Sequence, residues 1–211
     1  MRILGISGSL RRDSHNTKLL RAAARLLPPG AELELFDGLK AVAPFDADDD
    51  RGAIPPRGVS ELRSAIRGAD ALLIAAPEYN HSIPGVLKNA IDWASRPLET
   101  AALLNKPVAV IGASTGMFGA VWSQAETRKA LAGAGARVLD RELAVGSADE
   151  QFHPLDGHLL DPDLEAALGG ILLELASEVQ PALVGQLGLD QPSSAVSSSS
   201  RLPHGSLLQT R

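Results

Sequence analysis

The segment Ala71-Leu72-Leu73-Ile74-Ala75 is apolar at every position, and this limits the fold more than any other feature of the chain. A strand with no polar face must be covered on both sides, which points to the interior of a parallel sheet with helices above and below. Residues 107–111 are a run of the same kind, residues 2–6 are apolar after Arg2, and stretches with helical spacing lie between such runs. Residues 17–27 place Leu19, Leu20, Ala23 and Leu27 on one face before Pro28-Pro29-Gly30 ends the helix. Residues 60–67 form a short helix. Residues 84–94 form another, with Pro84 in its first turn and Val86, Leu87, Ala90, Ile91 and Trp93 as its apolar stripe. Further helices are predicted over residues 119–134 and 163–184, the last interrupted at Gly169-Gly170, and a weaker strand over 137–143. Glu32-Leu33-Glu34-Leu35-Phe36 alternates and reads as a strand near a sheet edge. Residues 39–58 read as a long loop rich in Asp and Pro.

Strands alternating with helices give an α/β fold, a doubly wound sheet of five parallel strands with helices on both faces and right-handed crossovers. In such a sheet a ligand sits beyond the strand C-termini, so the loops that follow strands are the informative ones. Residues 1–184 are expected to form one domain. Residues 185–211, with Ser193-Ser194 and a run of serines from Ser197 to Ser200, lack periodicity and are expected to be a disordered Ser-rich tail.

Composition narrows the chemistry. The chain has no cysteine, which excludes disulfide scaffolds, thiolate metal sites and cysteine nucleophiles. A net charge of -5 with scattered basic residues gives no electrostatic footprint for nucleic acid. No apolar run reaches membrane-spanning length, and the opening run stops at Ser7 with no cleavage pattern behind it. A cytoplasmic protein without nucleic-acid or membrane partners is expected. The five histidines show no ligand spacing such as His-Glu-x-x-His, so no metal is expected.

Three loops follow strands. The first, Ser7-Gly8-Ser9-Leu10-Arg11-Arg12-Asp13-Ser14-His15-Asn16-Thr17, combines hydroxyls, glycine, guanidinium groups and a helix N-terminus, the ingredients of an anion site. It matches neither Gly-x-x-x-x-Gly-Lys-Ser/Thr nor Gly-x-Gly-x-x-Gly, and it suits a phosphate monoester held by Ser9, Thr17, Asn16 and Arg11. The plainer reading is a helix capped by Ser14 or Asn16 beside solvated arginines. The second loop, Pro77-Glu78-Tyr79-Asn80-His81-Ser82, places the only tyrosine at a strand end, where a planar ring could lie against it. There Glu78 is either near the chemistry or a brace for the loop, and His81 is more simply solvent-facing. The third, Ala113-Ser114-Thr115-Gly116-Met117-Phe118, offers backbone N–H groups to negative charge on a bound ring or is an ordinary capped turn.

The segments Gly8-Ser9-Leu10-Arg11-x-x-Ser14-x-Asn16, Pro77-Glu78-Tyr79-Asn80 and Pro84-Gly85-x-Leu87-Lys88-Asn89-Ala90-Ile91-Asp92-Trp93 closely resemble the NADPH-dependent FMN reductase family. The resemblance covers residues 2–184 and implies a flavodoxin-like fold. It further implies that Ser7, Ser9, Arg11, Asn16 and Thr17 hold the FMN phosphate. Pro77, Glu78, Tyr79 and Asn80 would line the isoalloxazine, and Ser114, Thr115 and Gly116 its pyrimidine edge. It implies NADPH or NADH as electron donor, ping-pong reduction of a quinone, free flavin or similar small-molecule acceptor, and a homodimer or homotetramer. Trp93 and Trp122 are candidates for the subunit interface, or else for the core. No catalytic residue is required, because the flavin carries the chemistry.

Two other readings share the fold. A flavodoxin-type electron carrier would bind FMN without NAD(P)H activity of its own, but such carriers have a hydroxyl-rich loop without the arginine seen at Arg11. A receiver-type signalling domain needs an acidic cluster at the end of the first strand, where this chain has Ile6-Ser7.

Overall fold

A computed structural model describes residues 1–52 and 54–179; the expected tail and the part of the expected last helix beyond residue 179 lie outside them. The sheet runs β2-β1-β3-β4-β5. Its strands are β1 (Arg2–Ser7), β2 (Glu32–Phe36), β3 (Ala71–Ala75), β4 (Pro107–Ala113) and β5 (Arg137–Val138), and all pairings are parallel. A further strand, β6 (Ala144–Val145), pairs with the far end of β4. Every residue of β3 and β4 is buried, whereas β2 alternates at the edge, as their sequences predict.

The period-two alternation of the central strands divides the core into two layers. Leu4, Ile6, Leu72, Ile74, Val108 and Val110 pack on one side. There they meet α3 (Arg57–Gly68) and α4 (Gly85–Ala94). On the other side Ile3, Leu73, Ala109 and Ile111 meet α1 (His15–Arg25) and α6 (Pro162–Val179). The remaining helix, α5 (Val121–Gly133), closes the first layer through Leu131.

Four local expectations are corrected. Helix α1 starts two residues early because Ser14 is its N-cap, its hydroxyl accepting the Thr17 N–H at 3.3 Å. The strand expected over 137–143 is two short ones, β5 and β6, which pair with opposite ends of β4 while Asp140, Arg141 and Glu142 project into solvent. Gly169 and Gly170 do not interrupt α6. Each glycine weakens a helix by about 1 kcal/mol, less than the burial of Leu168, Ile171, Leu172 and Leu175 contributes. Finally, the segment read as a featureless loop contains a 3-10 turn at Gly38–Ala41 and helix α2 (Ala47–Arg51), capped by Asp46.

That segment is fastened to the core through Trp93, which is fully buried. The indole N–H donates to the Ala43 carbonyl at 2.7 Å, and Phe45 meets the ring edge-on at 4.9 Å. Arg63 lies 5.4 Å from the ring centroid, donates to the Trp93 carbonyl at 3.0 Å and pairs with Asp50 at 2.6 Å. Trp93 is therefore a core residue and not part of an exposed interface.

Candidate functional site

The loops after β1, β3 and β4 meet at the C-terminal edge of the sheet around a cavity of about 210 Å3. Its walls are Ser9, Arg11 and Asn16 from the first loop, Pro77, Glu78 and Tyr79 from the second, and Ser114 and Thr115 from the third. An adjoining cavity of about 300 Å3 on the β2 side shares Ser9 and Arg11 and adds Ser7 and Thr17, with Arg12, Arg21 and Lys40 around it. The structure thus brings together ten of the residues singled out in the sequence; Asn80 and Gly116 belong to the same loops but line neither space. A larger cavity, about 440 Å3, lies at the opposite edge of β1 and β2. Glu32, Glu34 and Glu61 line it, the wrong sign for a phosphate.

The first loop is held close to the sheet. Gly8 N–H donates to the Ala75 carbonyl at 2.9 Å, and a Cβ there would stand 2.9 Å from Pro77 Cδ, so only glycine fits. Thr17 Oγ1 donates to Ser7 Oγ at 3.0 Å, Ser7 Oγ accepts the Ser9 N–H at 3.4 Å, and Ser9 Oγ accepts the Arg11 N–H at 3.4 Å. These hydroxyls are ordered around the first turn of α1, whose N–H groups have no acceptor within the helix. The Arg11 guanidinium donates to the Asp13 carbonyl and so folds back over its own loop, where its other N–H groups remain to meet an anion.

Asn16 does something local patterning does not show. It is buried; its amide donates to the Ala113 carbonyl at 2.8 Å, and its oxygen accepts the Ala113 N–H at 3.0 Å. The side chain expected from sequence as a phosphate ligand thus ties the first loop to the third while lining the cavity. His15, missed from sequence, also lines the cavity. Burial first, then Lys18 and Arg11, hold its imidazole below the ordinary histidine range. Its Nδ1 is buried without a hydrogen-bond partner.

The second loop is a tight hairpin. Tyr79 and Ser82 exchange backbone bonds of 3.2 and 3.1 Å, and the two central residues are left-handed, Asn80 at φ 54° and His81 at φ 59°. Asparagine suits that conformation. The turn leaves Tyr79 51% exposed beside the cavity. Glu78 is a brace: its carboxylate accepts the N–H groups of Trp122 and Ser123 at 3.1 and 3.3 Å, at the start of α5, and lies 3.5 Å from His81. An acid at a helix N-terminus is favourable. Glu126, also missed from sequence, accepts from Ser82 Oγ and from the Ile83 N–H, and these bonds, the hydroxyl first, hold its carboxyl below the usual range. Trp122 is exposed, with Phe118 and His81 each meeting it edge-on at 5.2 Å.

The third loop rests on β6. Ser114 N–H donates to the Val145 carbonyl at 3.0 Å, and its hydroxyl accepts the Gly116 N–H at 3.1 Å. Gly119 closes the loop in a left-handed conformation at φ 57°, and a Cβ there would lie 2.4 Å from the Ala144 carbonyl carbon.

Residues 1–150 match the NADPH-dependent FMN reductase family. The chain belongs to that family. It is 44% identical over 162 residues to an NAD(P)H-dependent FMN reductase of Pseudomonas aeruginosa, covering 76% of this chain and 85% of that protein. It is 32% identical over 181 residues to a quinone reductase of Escherichia coli, covering 85% and 96% respectively. Among solved structures, the flavoenzyme NAD(P)H:(acceptor) oxidoreductase FerB of Paracoccus denitrificans superposes with a TM-score of 0.76 at 32% identity, over 85% of this chain and 97% of that one. The flavodoxin-like, doubly wound α/β fold is thereby established, and this member of the FMN reductase family is an oxidoreductase using FMN and NAD(P)H. Its donor set fits that cofactor: hydroxyls, a guanidinium and a helix N-terminus for the phosphate, and an open shelf beside Tyr79 for a flat ring.

Proposed function

We propose that this protein reduces quinones, free flavin or similar small acceptors with electrons from NAD(P)H, using FMN bound across the loops after β1, β3 and β4. The observation that carries the reading is the convergence of the Ser9–Arg11 loop, the half-exposed Tyr79 and the Ser114–Thr115 turn on one cavity at the sheet edge. When bound, FMN supplies the two-electron exchange between donor and acceptor. Ser7, Ser9 and, once turned from Ser7, Thr17 would hold phosphate oxygens through hydroxyls, the His15 and Asn16 N–H groups would face it from the start of α1, and the Arg11 N–H groups not used on the Asp13 carbonyl would make charge-assisted bonds. Asn16 joins two loops through its amide, whose second N–H would be left for the phosphate. Pro77, Glu78 and Tyr79 would border the ring, with Asn80 shaping the turn that presents Tyr79 and Glu78 also bracing that turn against α5. The Ser114–Gly116 turn would lie by the ring's pyrimidine edge and offer it the Thr115 N–H, since the Ser114 and Gly116 N–H groups are taken by the Val145 carbonyl and the Ser114 hydroxyl.

Freshly purified protein that is yellow, and that oxidises NADPH with a quinone and no partner protein, supports this reading; a colourless protein that takes up no added FMN defeats it. Bound FMN without NAD(P)H turnover would instead favour an electron carrier. Arg11→Ala is expected to raise the FMN dissociation constant by about ten- to a hundredfold, from the ~1.5–3 kcal/mol of a hydrogen bond to a charged group, with the circular dichroism spectrum unchanged. Flavin fluorescence quenching measures it.

Met117, Phe118 and Trp122 form an exposed apolar group beside the cavity. It suits the edge of a homodimer or homotetramer in which a second subunit borders the ring. Among the described residues no helix is long and apolar enough to cross a membrane, and a cytoplasmic setting, where NAD(P)H is at hand, goes with the chemistry.

A further inference from the structure

The loop spanning residues 152–159 carries chemistry that the cofactor site does not use. Phe152 and Leu159 pair in an antiparallel bridge at its base, and Leu159 is buried. Within the loop His153 N–H donates to the His158 carbonyl at 2.9 Å and Gly157 N–H to the His153 carbonyl at 2.8 Å. Gly157, at φ 73°, provides the left-handed turn that closes it. This backbone holds the two imidazoles stacked, with centroids 4.7 Å apart and planes 21° from parallel. Both Nδ1 atoms lie 2.7 Å from the same oxygen, Asp156 Oδ1.

We propose that His153, Asp156 and His158 form a binding site for a divalent transition-metal ion, Zn2+ above all. Three side chains spaced x-x-Asp-x-His after a histidine present ligand atoms within 4.8 Å of one another. All three are partly exposed, with side-chain accessibilities of 34%, 51% and 40%, so an ion can enter and a fourth position is open to water. Two imidazole nitrogens and one carboxylate oxygen are zinc ligands, whereas Mg2+ and Ca2+ require oxygen. With bonds of about 2.0–2.1 Å, tetrahedral ligands sit about 3.3 Å apart, so each N–O separation opens by about half an ångström on binding. Side-chain rotation achieves that without opening the loop. Arg25 is the one cation paired with Asp156 among the described residues, and it stands 3.9 Å from the other oxygen, Oδ2, leaving Oδ1 to the ion.

The test uses the full-length, tag-free chain after chelator treatment, titrated with ZnCl2 by calorimetry and with Co2+ by visible absorption. One equivalent is expected to bind. His153→Ala and His158→Ala should each weaken it by more than about tenfold, since losing even outer-shell partners of a metal costs tenfold or more, and Asp156→Asn should weaken it while circular dichroism shows an intact fold. Equal affinity in the His153→Ala/His158→Ala double variant would overturn the proposal. So would loss of binding in His204→Ala with these three residues intact, or no saturable binding below millimolar zinc.

Discussion

Trp93→Ala is expected to lower the unfolding free energy by about 3–5 kcal/mol, the range for truncating a buried large aromatic. The size follows from what the indole does. It is fully buried between α3 and the 39–52 segment, and its removal empties a space walled by Phe45 and Arg63. Arg63 is not free to collapse into it, because it is fixed by the Trp93 carbonyl and by Asp50. Against a total stability of about 5–15 kcal/mol for a domain, that leaves a marginal protein. Trp93→Phe should cost far less: the ring volume is largely kept, and the Ala43 carbonyl retains the Asn89 amide at 2.9 Å as a donor. Urea unfolding followed by far-ultraviolet circular dichroism compares the two, and a loss below about 1 kcal/mol for the alanine variant would contradict the packing described.

Gly119→Ala is expected to cost about 3 kcal/mol and to weaken FMN binding with it. A left-handed alanine alone costs about 1–2 kcal/mol. The added carbon would also lie 2.4 Å from the Ala144 carbonyl carbon and 2.6 Å from the Val145 nitrogen. Those are backbone atoms of β6, which cannot rotate aside, and overpacking of this kind adds about 1–3 kcal/mol. Relief must come from displacing the 114–118 turn from β6, which carries Ser114 and Thr115 away from the cavity they line. Gly133→Ala, at the end of α5 with nothing within 4 Å of its Cβ, is the control and should be neutral or slightly stabilising. Parallel thermal melts and FMN titrations of both variants check the contrast.

What local chemistry decides is legible in the amino-acid sequence. The wholly apolar run at Ala71–Ala75 marks the sheet centre and the alternating Glu32–Phe36 its edge, because strand patterns report directly on which faces are covered. The three loops stand out because, in this class of sheet, ligands gather where strands end. What stays hidden depends on partners far away in the chain. Nothing near Asn16 announces that its amide is matched to Ala113, 97 positions on. The acceptor role of Glu78 needs the start of α5, which only the packed fold brings near. The division of the expected 137–143 strand into β5 and β6 falls at the charged run Asp140-Arg141-Glu142, but that its flanks pair with opposite ends of β4 is visible only in the fold. The pairing of His153 and His158 on one carboxylate oxygen is of the same kind, made visible only when the loop closes.

Glu78 and Glu126 grip the tyrosine hairpin at two points along α5, a helix of 13 residues. The hairpin and helix are thereby welded into one stiff bracket on this side of the cavity. In the proposed reductase, tolerance for differently shaped acceptors would then come from the width of the mouth, which screens molecules by flatness and size instead of moulding itself around them.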